Sequence, residues 1–211
     1  MRDSKPQTQL SDRPLDAAPE GRGAATRNRL LDAAERVVAR GGVKGLTFDN
    51  VAMEANAAKG TVLYHFESKD ALSSAMLARF ITRFDMAWGD AIASDPIFRG
   101  RAVRAYVTAT FGDLALGEPP LTGADFDPVN GALTAALAET PERLAPVREQ
   151  GQRHQAAITD DGLDPVMATI IRLAVDGLWF AESFGLMNYE PELKAAALNR
   201  LKEWTKTPPA N

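Results

Sequence analysis

Residues 47–72 leave the backbone few options. Two short helical segments meet at Asn56, and a third helix opens after Ser68. Thr47 is a good N-cap, with Phe48, Val51, Ala52 and Ala55 spaced to face inward behind it. Asn is the residue after Gly that best tolerates left-handed backbone angles, so Asn56 marks the break. The second segment carries Lys59, Gly60, Thr61, Tyr64 and His65 within two turns, and Lys69 opens the next helix. A helix this short is unstable alone and must be held by its neighbours. Its polar face combines a cation, a hydroxyl, a phenol and an imidazole, groups suited to phosphate oxygens and base edges.

The remainder of the chain predicts an all-α protein. Residues 1–23 hold Pro6, Pro14, Pro19, Gly21 and Gly23 with almost no large apolar residues, the composition of a disordered tail. From Thr26, Leu30, Leu31, Ala34, Val37 and Val38 recur at helical spacing, ending at Gly41 and Gly42. Ser68 caps a longer helix, 69–92, with Asp70 well placed against its dipole. Pro96 precedes a helix predicted to end near Gly117, residues 118–128 read as a loop, and a short helix is expected over 129–138. Thr140-Pro141 and Asp164-Pro165 look like caps with first-turn prolines, starting helices near 141 and 165; a last helix begins near Pro191. No useful stretch alternates with period two, so no strand is predicted.

Composition narrows the function classes. The 211 residues include no cysteine, which excludes disulfides, thiolate metal sites and cysteine nucleophiles. No apolar run reaches the roughly 20 residues of a membrane helix, and the first residues lack the apolar middle of a signal peptide, so a cytoplasmic protein without membrane contact is expected. The formal charge of −4 argues against nucleic acid at first sight. It is unevenly spread: residues 1–80 hold 12 Lys+Arg against 10 Asp+Glu, leaving the rest of the chain at −6. An acidic body behind a slightly basic head is compatible with DNA binding.

Residues 26–72 resemble the DNA-binding domain of the tetracycline-repressor (TetR) family of bacterial regulators. The resemblance is carried by Thr26 through Ala34, Gly41-Gly42, Leu46-Thr47, Val51-Ala52, Ala58 through Thr61, and Tyr64 through Leu72. Two departures stand out: Asn56 replaces a customary glycine, and Leu63 stands where tyrosine is frequent. Leu63 can touch a thymine methyl but cannot hydrogen-bond. Behind the disordered tail over 1–23 that composition predicts, the resemblance implies a three-helix helix-turn-helix head over 24–70 and a helical regulatory and dimerisation body over 71–206. It also implies a homodimeric repressor, bound to a palindromic DNA operator and released by a small-molecule effector, with no cofactor or metal.

Within that frame Lys59 and Thr61 start the reading helix, where base edges are met, although an isolated Lys is ordinarily just solvated surface. Gly60 lets the backbone approach DNA; a helical Gly otherwise costs about 1 kcal/mol relative to Ala. Thr47 can serve a phosphate as well as cap its helix. Tyr64 and His65 are expected at phosphates or partly packed in the head, with Val62 and Phe66 as core. Lys69 opposes its own helix dipole unless an anion is near, which a phosphate would satisfy; Arg27 is a further phosphate partner.

In the body, the family resemblance points to the helices after 165 and 191 as the dimer surface, with Ile170, Leu173, Ala174, Gly177, Phe180, Ala181, Leu198 and Leu201 as seam candidates; ordinary core is the alternative for each. Trp88, Phe111, Trp179 and Met187 are candidates for an apolar pocket with His154, Asp176 or Glu182 supplying polarity, and core packing or solvated surface is the competing reading. An enzyme is disfavoured: Asp160-Asp161 and the Asp125/Asp127 pair lie in turns where Asp is common, without a nucleophile or base at a recognisable spacing. A helical ligand-binding or adaptor protein with a degenerate DNA head is the other alternative; Lys59, Gly60, Tyr64 and Lys69 together argue against decay.

Overall fold

A computed structural model describes residues 21–112 and 141–206, and among these it is all helix and turn. Eight α-helices are present among the described residues: α1 (Arg22–Gly41), α2 (Phe48–Glu54), α3 (Lys59–His65), α4 (Lys69–Ser94), α5 (Arg101–Phe111), α6 (Ala145–Thr159), α7 (Pro165–Ser183) and α8 (Pro191–Trp204).

Local chemistry sets the boundaries in the head. Gly42 (φ 63°) turns the chain out of α1 while its amide still bonds the Val38 carbonyl. Thr47 Oγ1 accepts the Asn50 amide at 3.2 Å and starts α2. Asn56, at φ 48°, is the one described non-glycine residue with a left-handed backbone, as its position at the break predicts. Ser68 Oγ accepts the Ala71 amide at 3.0 Å and opens α4.

Packing divides into two regions joined by α4. Leu30, Leu31, Ala34, Val51, Val62, Phe66, Leu72 and Met76 belong to the first core, so α1, α2, α3 and the start of α4 bury one another. Val103, Val107, Phe111, Ile158, Ile171, Val175 and Leu198 form the second core from α5 to α8. Phe84 and Ala87, further along α4, pack with Ala109 of α5. One unbroken helix therefore carries side chains into both regions.

Several expectations need correction. The helix expected after Pro96 runs from Arg101 to Phe111 and stops at Gly112 (φ 76°), short of the expected end near Gly117. Asp95 accepts the Ile97 amide at 2.8 Å and Arg104 Nε at 2.7 Å, while Arg104 also takes the Arg99 carbonyl; this wraps residues 95–99 around a buried guanidinium instead of a helix. Near 141 the chain first makes a 3-10 turn, Pro141–Leu144, before α6. α1 begins at Arg22, four residues ahead of Thr26. Asp161 is structural: its Oδ2 accepts the amides of Ala102 and Val103 that start α5. Leu198 is 2 % exposed and belongs to its own subunit's core, not to an open seam, and Leu201 packs partly buried against the same core. The expected tail over 1–20, the 118–128 loop, the 129–138 helix and the Asp125/Asp127 pair lie outside the described residues.

Candidate nucleic-acid interface and body cavity

α3 is anchored by Val62 and Phe66, 0 % and 3 % exposed. With these turned inward, Lys59, Gly60, Leu63 and Tyr64 lie exposed, Tyr64 at 84 %. Thr61 and His65 are half-buried, and the His65 ring stands edge-on to Tyr64 at 5.1 Å. A Cβ placed on Gly60 would meet nothing within 4 Å, so the open surface there is not filled by the rest of the head.

The remaining predicted contacts surround this helix. Lys59 Nζ pairs with Asp49 Oδ2 of α2 at 2.9 Å, both side chains exposed. Lys69 Nζ donates to the Val43 carbonyl at 3.0 Å from an exposed position; an ammonium has three protons, so two remain for an anion. Arg27 is exposed with its guanidinium 5.2 Å from the Phe66 ring centre, and Thr47 is exposed beside the start of α2. The arrangement offers cations, hydroxyls and an unobstructed backbone on a helix whose opposite side is core, which is what insertion into a DNA groove needs.

The body holds a cavity of about 320 Å³ between α4, α5, α6 and α7. Leu77, Phe80 and Phe84 of α4, Val147 of α6, and Trp179 and Phe180 of α7 give it apolar and aromatic walls. Its polar lining comes from Tyr106 and Thr110 of α5, Gln150 and His154 of α6, and Arg172 and Asp176 of α7. Of the pocket candidates from the sequence, His154, Asp176 and Trp179 line it, and so does Phe180, which the sequence offered as a seam candidate. Trp88 stands behind His154, ring centres 4.3 Å apart, and donates its indole N–H to the Ala102 carbonyl. Phe111 is core under Lys194, Glu182 pairs with Lys194 at 2.6 Å, and Met187 is exposed. Tyr106, Gln150 and Arg172 were not foreseen, although the 172/176/179 spacing is one face of a helix.

Electrostatics in the cavity follow from burial and pairing. Burial pushes the His154 pKa down, outweighing the Asp85 carboxylate beside it, so the ring is neutral at neutral pH and its Nε2–H donates to Asp85 Oδ1 at 2.8 Å. Burial acts to raise the Asp85 pKa, but hydrogen bonds from Gln150 and His154 win and hold it below the ordinary carboxylate value. Tyr106 donates its hydroxyl to Asp176 Oδ1 at 2.7 Å; burial, then the carboxylate, push the phenol pKa far up, so it stays a donor. Among the described residues no group of three or more His, Asp or Glu side chains is placed to hold a metal ion.

Two family models match the chain. Residues 30–76 match the bacterial regulatory proteins of the tetR family, and residues 100–206 match the tetracyclin repressor-like C-terminal domain, about half the chain in itself. The chain belongs to the TetR family. It is a DNA-binding transcriptional regulator, with the helix-turn-helix of the family in α2 and α3. No curated protein gives a significant sequence match. Among solved TetR-like structures, a transcriptional regulator from Rhodococcus sp. Rha1 has a TM-score of 0.65 at 21% identity, covering 85% of this chain and 95% of that one, and shares the fold. The multidrug binding protein EbrR, solved with ethidium, has a TM-score of 0.57 at 26% identity over 88% of this chain and 99% of its own. A TetR-family member from Streptomyces coelicolor A3 gives 0.57 and 26%, covering 83% of this chain and 97% of that chain. No described helix is long and apolar enough to cross a membrane.

Proposed function

We propose that this TetR-family protein is a cytoplasmic homodimeric repressor that places α3 of each subunit in the major groove of a palindromic operator and is released by a small molecule in the body cavity. The observation that carries the reading is the presentation of α3: its anchors are buried and its polar residues uncovered. Lys59, Thr61 and Leu63 face base edges in this scheme, with Gly60 permitting close approach. Thr47, Tyr64, His65, Lys69 and Arg27 serve phosphates. The head then spans 24–70 and the body 71–206, α4 crossing between them.

Dimer formation is supported by an apolar stripe on α7. Val166, Ile170, Leu173, Phe180 and Phe184 are 65 %, 48 %, 63 %, 51 % and 38 % exposed, with Ala174 and Gly177 open between them. Leu193 and Trp204 of α8 are likewise exposed, beside an apolar groove bounded by Leu178 and Ala197. A monomer leaving so many large apolar side chains in water is a poor end state. Pairing α7 and α8 with their copies buries the stripe in a four-helix bundle, and two-fold symmetry matches an operator repeat.

The cavity supports the effector role because α4 both contributes to it and carries Leu72 and Met76 into the head. A ligand that displaces α4 thereby changes head spacing. The ethidium complex of EbrR is a further reason to read the cavity as a ligand site. Nothing in this scheme calls for a catalytic step. Selection of bound duplexes from random DNA, followed by titration in rising salt, tests the reading: an enriched inverted repeat and salt-sensitive binding are expected. No enrichment, or enrichment without two-fold symmetry, contradicts it.

A further inference from the structure

We infer that the body cavity takes a flat aromatic cation, seated with its positive charge against Asp176. This ligand class rests on the reading of the cavity as the effector site and concerns its occupant. The walls supply the aromatic half of the recognition. Phe80, Phe84, Trp179 and Phe180 present rings to the space, and ring faces attract cations.

The charged groups around the cavity decide the sign. On α4, both Asp85 oxygens are taken: Gln150 and His154 donate to Oδ1 at 2.8 Å each, and Arg153 to Oδ2 at 3.1 Å. α5 contributes only the neutral hydroxyls of Tyr106 and Thr110. α6 contributes Gln150 and a His154 ring held neutral by burial. On α7, Arg172 is 14% exposed at its side chain and spends Nη1 on the Gly151 carbonyl and Gln155 Oε1, each at 2.9 Å. Its guanidinium lies over the Tyr106 ring at 5.4 Å, and its Nε sits 3.5 Å from Asp176.

Asp176 differs from all of these. Its side chain is 43% exposed, it accepts one short hydrogen bond, from the Tyr106 hydroxyl, and its second oxygen has only the long Arg172 contact. Among the described charged groups facing the cavity, it alone is both open and short of partners. An incoming ligand meets the open Asp176 carboxylate before the Arg172 guanidinium, which is 14% exposed and turned onto the Gly151 carbonyl, Gln155 and the Tyr106 ring, so a cation gains a partner there and an anion is repelled.

The test uses the full chain and two fluorescent probes of similar size: proflavine, an aromatic cation, and anthracene carboxylate, an aromatic anion. Proflavine is expected to saturate at one per subunit and to bind at least about tenfold tighter than the anion. Asp176→Asn, which keeps an acceptor for Tyr106, should weaken proflavine about tenfold without weakening the anion; Asp176→Glu should preserve the preference. Circular dichroism of both variants separates loss of fold from loss of charge. Equal or tighter binding of the anion, unaltered proflavine binding by a folded Asp176→Asn, or no saturable binding of either probe overturns the inference. Duplex affinity is measured separately, comparing wild type with Asp176→Asn at equal proflavine so that intercalation cancels. Charge-dependent probe binding with no difference in duplex release leaves the cation site standing and sinks the release mechanism; duplex binding with no probe binding sinks the cation site and leaves the DNA-binding reading standing.

Discussion

Arg79 of α4 reaches across to Glu35 of α1, its Nε 2.9 Å from Oε1, with only 13% and 11% of the two side chains exposed. Arg79 Nη1 also holds Asp32 at 2.7 Å, and Arg83 Nη1 approaches Glu35 Oε2 at 3.4 Å. This cluster lies one residue from Phe80 in the cavity wall, so it fastens the head to the helix that a ligand would move. Removing one partner of a buried pair leaves an uncompensated charge, at a cost of about 3–5 kcal/mol. Arg79→Met leaves Glu35 with only the 3.4 Å Arg83 contact, so unfolding stability is expected to fall by about 2 kcal/mol in urea titration. A loss within the ordinary range for exposed pairs, below about 1 kcal/mol, would mean the cluster is not a fastening.

Asn56 supplies a second stability test. At φ 48° an Ala side chain is strained, so Asn56→Ala should cost about 1–2 kcal/mol, while Asn56→Gly should be close to neutral. Thermal unfolding of the two variants side by side reads the difference. If Ala were tolerated as well as Gly, the left-handed break between α2 and α3 would be wrong.

The neutral His154 ring makes stability depend on pH with a defined sign. Its folded pKa lies below the ordinary histidine value of about 6.5, so the unfolded chain takes up the proton first. Its contribution is present above pH about 6.5 and declines as pH falls from there toward the lower folded pKa. Asp85, also lowered, contributes above the ordinary carboxylate range, so its contribution is lost only in a separate, more acid window. Urea midpoints of wild type and His154→Gln between pH 7.5 and 5 should converge as pH falls. Parallel curves would contradict the assignment.

Asp49 sits 2.9 Å from Lys59 Nζ and places a negative charge where DNA phosphates would approach. Asp49→Asn should free the ammonium and tighten duplex binding, most visibly at low salt. Fluorescence anisotropy at two salt concentrations measures this, and weaker binding would place Lys59 away from the duplex.

Leu173, 63 % exposed on the outer stripe of α7, is suited to test subunit pairing. Leu173→Glu places a charge at the proposed seam and should convert a dimer into a monomer by sedimentation velocity, with loss of cooperative duplex binding. An unchanged dimer would move the interface elsewhere.

The head was more legible in the sequence than the body, for a physical reason. Val62 and Phe66 must be core for α3 to exist at all, which assigns the exposed side to Lys59, Gly60 and Tyr64 by spacing alone. Asn56 announced its backbone angle in the same way. In the body, apolar spacing appears on several faces of each helix, and sequence cannot say which face meets which neighbour. Leu198 is therefore a candidate for seam or core on its sequence alone, and it is core, while Leu193 on another face is exposed. Tyr106, Gln150 and Arg172 reach the cavity from three separate helices, so no local pattern joins them. The start of the helix after Pro96 was not legible because the buried partner that shapes residues 95–99, Arg104, lies eight residues on.

Duplex binding by the Lys59→Ala/Tyr64→Ala double variant tests the central claim most directly. Both residues are exposed on α3, so the variant should keep its helicity and unfolding midpoint. With the selected duplex, specific affinity is expected to fall by at least about tenfold, a loss of roughly 1.4 kcal/mol. A folded double variant that binds the duplex as tightly as wild type would contradict the assignment of α3 as the surface that meets DNA.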